Sequence, residues 1–371
     1  MRFPEFTEVW KDSNIGKCFD LYSGNTPSRM EKKHFIGDVN WITSGELKEH
    51  YIGDTKERIS EKAAEDNNLR ILPVGTFVMA IYGLEAEGVR GTCSITVKTS
   101  TISQACMAFT PKSNVSNEFL YSWYKKHGNK IGIRYAQGTK QQNLSYDIIE
   151  KFPIRYPSIE EQEKLNTFIS LLDKRIATQN KIIEKLESLI KGIYDKTFAN
   201  FSKYLALSSI CKIQKGQQVN GEELSEFGEY YVMNGGIEPS GYYDKYNTMP
   251  NTISISEGGN SCGYIQFNTV PFWSGGHCYT LQGISTEYNT HFVYHYLKSK
   301  EKEIMALRIG SGLPNIQKKD LEKYLIPVLS LETQKSIVNG INKIETKLKH
   351  EKDILSAYQT QKAYLLRNLF I

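Results

Sequence analysis

Two stretches of the chain place apolar residues at alternating steps of three and four. In 159–199 the series is Ile176, Ile183, Leu186, Ile190 and Ile193, with Gln179 completing it. In 331–371 the matching positions are Leu348, Leu355, Tyr358, Lys362 and Leu365, with Glu351 standing where Gln179 stands. Such spacing makes a narrow apolar stripe on a helix, the seam of a coiled coil. Each stretch opens on a helix start, Ser158-Ile-Glu-Glu-Gln or Ser330-Leu-Glu-Thr-Gln, with a serine to cap and acids in the first turn. About forty residues at about 1.5 Å each predict rods near 60 Å long. Neither rod can bury its stripe alone and each has one equivalent mate, so the pattern predicts that they pack together. Two unrelated surface helices left by a duplication are the alternative.

The rest of the chain is patterned twice over as well. Shifted by 172, residues 105–199 lie on 277–371 without a gap, with Cys106/Cys278, Tyr124/Tyr296, Gly138/Gly310, Asn143/Asn315, Gln162/Gln334 and Phe198/Phe370 among the identities. Upstream the shift drifts: Ile15, Cys18, Leu21 and Gly24 match Leu207, Ile210, Ile213 and Gly216 at 192. Trp41-Ile-Thr-Ser-Gly45 resembles Tyr231-Val-Met-Asn-Gly235 at 190, and Val78 to Gly83 resembles Ile253 to Gly258 at 175. The first copy therefore carries about twenty extra residues in its middle (192 less 172). Within each copy the order is the same. Short apolar stretches punctuated by glycine (Leu72 to Ile81; Asn251 to Ser256) read as strands and turns. A short aromatic helix follows (Glu118 to His127; Thr290 to Ser299), then a glycine-bearing stretch, a strand-like run and the long helix.

Composition narrows this picture without deciding it. At 371 residues the chain can bury two or three cores. Residues 1–158 carry 21 basic and 18 acidic side chains and 200–330 carry 11 and 12, so charge alone does not mark a nucleic-acid binder. The 23 tyrosines suit polar-faced interfaces, where a rigid ring carries a hydroxyl. Six scattered cysteines without a CxxC pair read as reduced thiols. With no signal peptide and no apolar run long enough for a membrane span, the expectation is a soluble, cytoplasmic protein.

Two similar globular copies, each followed by a rod helix, form an α+β, internally repeated architecture. The expected boundaries are a recognition domain at 1–157, a spacer helix at 158–199, a second domain at 200–329 and a second helix at 330–371. The helices match better than the domains' first halves, which points to one scaffold carrying two different recognition surfaces. A pseudo-two-fold protein of that kind suits a split DNA site. This order resembles the specificity subunits of type I restriction-modification systems. The resemblance rests on Ser23-Gly-Asn-Thr-Pro-Ser28, Gly138-Thr-Lys-Gln-Gln-Asn-Leu144 and Pro153 to Gln162, and on Gly310-Ser-Gly-Leu-Pro-Asn-Ile316 and Ile326 to Gln334 in the second copy. The family's usual Pro-Pro-Leu before Glu-Gln is reduced here to Tyr-Pro-Ser-Ile-Glu-Glu-Gln and Val-Leu-Ser-Leu-Glu-Thr-Gln.

The resemblance implies two target recognition domains, each reading half of a bipartite, asymmetric site in double-stranded DNA. It also implies an antiparallel helix pair that sets the gap and docks two modification subunits. S-adenosylmethionine would sit on those partners, and ATP with magnesium on restriction subunits, leaving this chain without a cofactor. Nothing in the sequence speaks for catalysis: there is no Asp/Asn-Pro-Pro-Tyr/Phe motif, Walker loop or nuclease pattern. His291 and His295 lack a third metal ligand and read as packing residues; their repeat equivalents are Phe119 and Trp123. A DNA enzyme with an unfamiliar site and a scaffold that binds no DNA remain as rivals.

Candidate DNA contacts follow residue type. Between Glu118 and Asp147 there is no acid, and Lys125, Lys126, Lys130, Arg134 and Lys140 could form a phosphate-binding face or merely a solvated helix surface. Gln141 and Asn143, like Asn315 in the second copy, sit on a glycine-bearing loop that either reads bases or makes a turn. Arg29 follows a Gly/Pro loop, and Ser44 lies in the Trp41 to Gly45 segment. Lys215 and Gln217 occupy the second copy's equivalent of the Arg29 loop. Asn234, Glu257, Asn260 and His277 flank glycine pairs, where a backbone can approach a ligand closely.

Overall fold

The fold is that of a computed structural model describing residues 2–86, 88–138, 142–310, 312 and 314–370. It divides into two compact units, 1–178 with 355–371 and 179–354. Each unit thus holds about half of each long helix, which run Ile159–Thr197 and Leu331–Leu369.

Among the described residues, the first unit is built on a five-stranded sheet in the order Phe19–Ser23, Cys106–Pro111, Phe77–Ala80, Cys93–Thr96, Tyr51–Ile52. The second has a four-stranded sheet in the order Lys212–Lys215, Cys278–Gln282, Thr252–Ser256, Ile265–Asn268. Each unit adds a three-stranded sheet with one parallel pair, Val39–Ile42 beside Ser100–Ile102 and Tyr230–Met233 beside Trp273–Ser274. Each also closes with an antiparallel pair that leads into a long helix, Lys11–Asn14 with Pro153–Tyr156 and Tyr204–Ala206 with Leu325–Pro327. The extra chain of the first copy supplies strand Tyr51–Ile52 and helix Glu61–Asp66.

Strand pairing corrects the repeat register by one residue in the strand after the insertion. Phe77 pairs with Phe109 and Ile253 with Leu281. Since 109 and 281 differ by 172, Phe77 and not Val78 is the counterpart of Ile253. Side chains alternate across a strand, so a slip of one would turn every residue to the other face. Phe77 and Met79 indeed join one core, with Val78 and Ala80 in another.

The aromatic helix needs a second correction. It starts after Ser116 in the first unit and after Asn289 in the second, each side chain accepting from the backbone N–H three residues on. Those caps are 173 apart, so Phe119 corresponds to Phe292 and Trp123 to Tyr296. The Tyr124/Tyr296 identity is a coincidence of composition. The counterparts of His291 and His295 become Glu118 and Ser122. In the first unit the helix also runs on through Tyr135, well past His127. Gly128 does not end it; a Cβ there would lie 2.8 Å from Gly91 Cα, so its bareness admits a neighbouring turn.

Long-helix ends complete each core. Leu165, Ile169, Leu172, Leu365, Leu369 and Phe370 are buried with Phe119 and Trp123 in the first unit. Phe198, Val338 and Ile341 are buried with Phe292 and Tyr296 in the second. The repeated phenylalanines do equivalent work: Phe370 packs 5.4 Å from Phe119 and Phe198 5.9 Å from Phe292, ring centre to ring centre. The repeated glutamines are wholly buried. Gln162 accepts from Ser116 N–H at 2.9 Å and donates to the Asn114 and Pro157 carbonyls. Gln334 accepts from Asn289 N–H at 2.8 Å and donates to the Glu287 and Leu329 carbonyls. Ser158 and Ser330 each accept from the backbone N–H three residues on.

Within the first unit, Lys362 pairs with Asp173 and Tyr358 accepts from Arg175. Within the second, Gln179 donates to the Glu351 carbonyl and carboxylate, Lys352 pairs with Glu187, and Tyr194 donates to Glu345. Ile183 and Leu365 are buried, and Ile176, Leu186, Ile190, Ile193, Leu348, Leu355 and Tyr358 are half-buried.

Candidate nucleic-acid interface

In the first unit, the cationic helix divides by function. Lys125, Lys130 and Arg134 are exposed. Lys126 is not a free charge: its ammonium donates to the carbonyls of Arg367 and Phe370, closing the C-terminal end of the second long helix. Burial, followed by Lys130 and Arg367, pushes its pKa below the usual lysine range. Burial, with Lys126 and Lys130 close by, also pushes His127 down to about 4.

Arg29 is likewise engaged. Its guanidinium forks onto the Glu57 carboxylate and stands 4.8 Å from the Phe35 ring centre and 5.3 Å from that of Trp41. Ser44 starts a short turn closed by the reciprocal bonds of Thr43 and Glu46. Asn143 exchanges backbone hydrogen bonds with Gln137 at 2.8 and 2.9 Å, and Asn315 does the same with Ile309. Gly138 and Gly310 have φ of 113° and 96°, which a side chain would resist. Lys140 and Gln141 lie outside the described residues.

In the second unit several candidates converge. Lys215 Nζ lies 2.6 Å from Glu257 Oε1, and Tyr279 donates its hydroxyl to the same oxygen at 2.9 Å. His277 Nδ1 stands 3.6 Å from Glu257 Oε2. Asn234 Oδ1 accepts from His277 N–H at 3.0 Å. Burial and the Glu257 carboxylate raise the Tyr279 phenol, which keeps it a donor. Gly235, Gly258 and Gly275 bring three loops together: a Cβ on Gly235 would sit 3.1 Å from His277 Cβ, and one on Gly275 would sit 2.6 Å from Asn234 Oδ1. Gln217 joins through its backbone, accepting from the Trp273 indole at 2.8 Å. Asn260 is exposed in the next loop, and no described contact brings it to this group. Tyr279 escaped the sequence reading because it sits mid-strand; only strand pairing aims it at Glu257.

The same positions in the first unit are apolar or small. Ile81 receives Leu144 N–H as Glu257 receives Ile316 N–H, and its own N–H donates to Ala105 as that of Glu257 does to His277. Ser23 pairs with Met107 as Lys215 pairs with Tyr279. The carboxylate, amine, phenol and imidazole of one unit thus replace Ile81, Ser23, Met107 and Ala105 of the other.

A repeated cleft lies elsewhere in each unit. Trp123, His127 and Phe152 line one of about 350 Å³, and Tyr296, Lys300 and Tyr324, their counterparts, line one of about 550 Å³. Among the described residues, no group of three or more His, Cys, Asp or Glu could hold a metal ion, and no helix is long and apolar enough to cross a membrane. His295 is instead bonded at both ring nitrogens, to Tyr194 at 2.9 Å and Asn342 at 3.0 Å.

Residues 7–188 and 202–357 match the family model for the type I restriction modification DNA specificity domain. The specificity subunit of type I restriction enzyme MjaIX from Methanocaldococcus jannaschii is 24% identical over 417 aligned residues, spanning 100% of this chain and 94% of that protein. A putative type I specificity subunit from Mycoplasma pneumoniae is 31% identical over 176 residues, 47% of this chain and 46% of its own. The crystal structure of a type I restriction-modification S subunit from M. genitalium has a similar fold, with a TM-score of 0.67 at 20% identity and coverage of 100% of this chain and 99% of that one.

Proposed function

The chain belongs to the type I restriction-modification DNA specificity family, and from that premise we propose that each of its two recognition domains reads one half of a bipartite, asymmetric DNA site. Its role is sequence recognition, not catalysis. One observation carries the two-half assignment: the same sheet order recurs in both units, while the polar cluster around Glu257 stands where the first unit has Ile81. A common scaffold with unlike surfaces is what reading two unlike half-sites requires.

The finer assignments are ours as well. Residues 1–157 and 200–329 are the two readers. The helices at 158–199 and 330–371 form an antiparallel coiled coil, related by a pseudo-two-fold repeat, that spaces the readers and docks modification subunits. The ion pairs and buried Gln179–Glu351 contact within the units support helix pairing. The cleft repeated in each unit supports one modification subunit per copy. S-adenosylmethionine and ATP with magnesium belong to the modification and restriction subunits, and the assembly works in the cytoplasm. Exchanging residues 1–157 for those of a relative, followed by long-read methylome mapping of a host with the partner subunits, tests the assignment. One half of the methylated motif should change; a change in both halves would refute it.

A further inference from the structure

The polar cluster in the second unit is not needed by the fold. The first unit builds the same strand junction with Ile81 and Met107, both buried. A buried carboxylate is costly unless every lone pair is served, and apolar replacements of such groups are often neutral or stabilising. Here the service is incomplete. Glu257 is 9% exposed, and its Oε2 is buried without a hydrogen-bond partner. An expense carried by one copy alone points to a ligand.

What faces outward is an amine and an imidazole. The side chains of Lys215 and His277 are 51% and 62% exposed, while that of Glu257 is 12% exposed behind them. Oε1 holds Lys215, and Oε2 waits 3.6 Å from the imidazole, just beyond bonding distance. The bond from His277 N–H to Asn234 fixes the loop that carries the ring. An ammonium and an imidazole N–H gathered on one carboxylate would match two adjacent acceptors. In the major groove guanine alone offers that pair, N7 and O6; adenine pairs an acceptor with a donor, and thymine and cytosine show one polar group each.

We infer that Lys215 and His277 read a guanine in the half-site of the second unit, and that Glu257 is the positioning residue that aims both. The inference rests on the DNA-recognition reading above and names a base and its readers within it. On binding, the ring donates to guanine through Nε2 and to Glu257 Oε2 through Nδ1. Both ring nitrogens then act as donors, and the unserved oxygen gains its partner.

The test maps methylated motifs for the full chain with its modification subunits, comparing wild type with Lys215→Met, His277→Ala, Glu257→Gln and Glu257→Ile. The last installs the first unit's residue and guards against a folding failure in the buried position, while the first two alter exposed side chains. Each variant should become degenerate at one G·C pair of one half-site, with discrimination there reduced roughly ten- to hundredfold, the range of a good bidentate contact. The other half-site should stay as it was. An unchanged motif in all four overturns the guanine assignment, as does an equal loss across both half-sites by variants that melt normally. A wild-type complex with no two-part motif would overturn the recognition reading itself.

Discussion

Replacing Gln334 with leucine should cost the second unit about 3 kcal/mol. The side chain is wholly buried at the start of the second long helix. Its amide accepts from Asn289 N–H at 2.8 Å and donates to the Glu287 and Leu329 carbonyls at 3.0 Å each. Leucine fills similar space but strands all three backbone groups. Each costs about 1 kcal/mol where water retains partial access, and more where it does not. For a unit of 176 residues (179–354), about 3 kcal/mol lowers the melting temperature by roughly 6–12 °C. Calorimetry of Gln334→Leu should show that shift, and Gln162→Leu should show one of similar size from the equivalent site. Lys335→Leu, one position along on the exposed face, should stay within about 0.5 kcal/mol. If Gln334→Leu melted with wild type, the glutamine would not be what joins the aromatic helix to the long one.

Three further outcomes are expected. Lys126→Met should lose about 1–2 kcal/mol by freeing the carbonyls of Arg367 and Phe370, yet leave the salt dependence of DNA binding alone. Replacing Lys125, Lys130 and Arg134 with alanine should do the reverse, making the slope of log affinity against log salt shallower by about 0.9 for each phosphate left without its cation. An unaltered slope in that triple variant would dismiss the phosphate-binding face. Histidines also tie stability to pH. Burial holds His295 and His127 near 4 in the folded protein, against about 6.5 in an unfolded chain. The unfolded state therefore takes up these protons first, so their contribution is full above about pH 6.5 and lost as pH falls toward 4. Melting temperature should fall across that window, and less steeply in His295→Gln. Parallel profiles for variant and wild type would refute this.

Periodicity carries far in this chain because long helices and repeats write themselves along the sequence. The helix over Ile159–Thr197 and its mate over Leu331–Leu369 are legible from their stripes and serine caps. Gly24 and Gly216 matched across the repeat, and the structure gives one reason for both: a Cβ would lie 2.0 Å from the Ile102 carbonyl in one unit and 2.3 Å from that of Ser274 in the other. The aromatic helix was legible in place but not in length, since Gly128 resembles a breaker until its packing against Gly91 is known.

Local pattern thus determined the duplication, the helices and the general run of strands, since each depends on residues a few positions apart. Tertiary structure alone decided register and pairing. A gapless shift of 172 brings Tyr124 onto Tyr296, but the hydrogen bonds that Gln162 and Gln334 accept from the N–H groups at the helix starts show that Trp123 holds that place. Lys126 looked like its neighbours until the C-terminal carbonyls of a helix more than two hundred residues on were found against it. Lys215, Glu257, His277 and Tyr279 come from separate strands and loops, and a carboxylate's partners there depend on which strands adjoin and which face each side chain takes. That information resides in the pairing of distant segments, where a one-residue slip reverses the outcome.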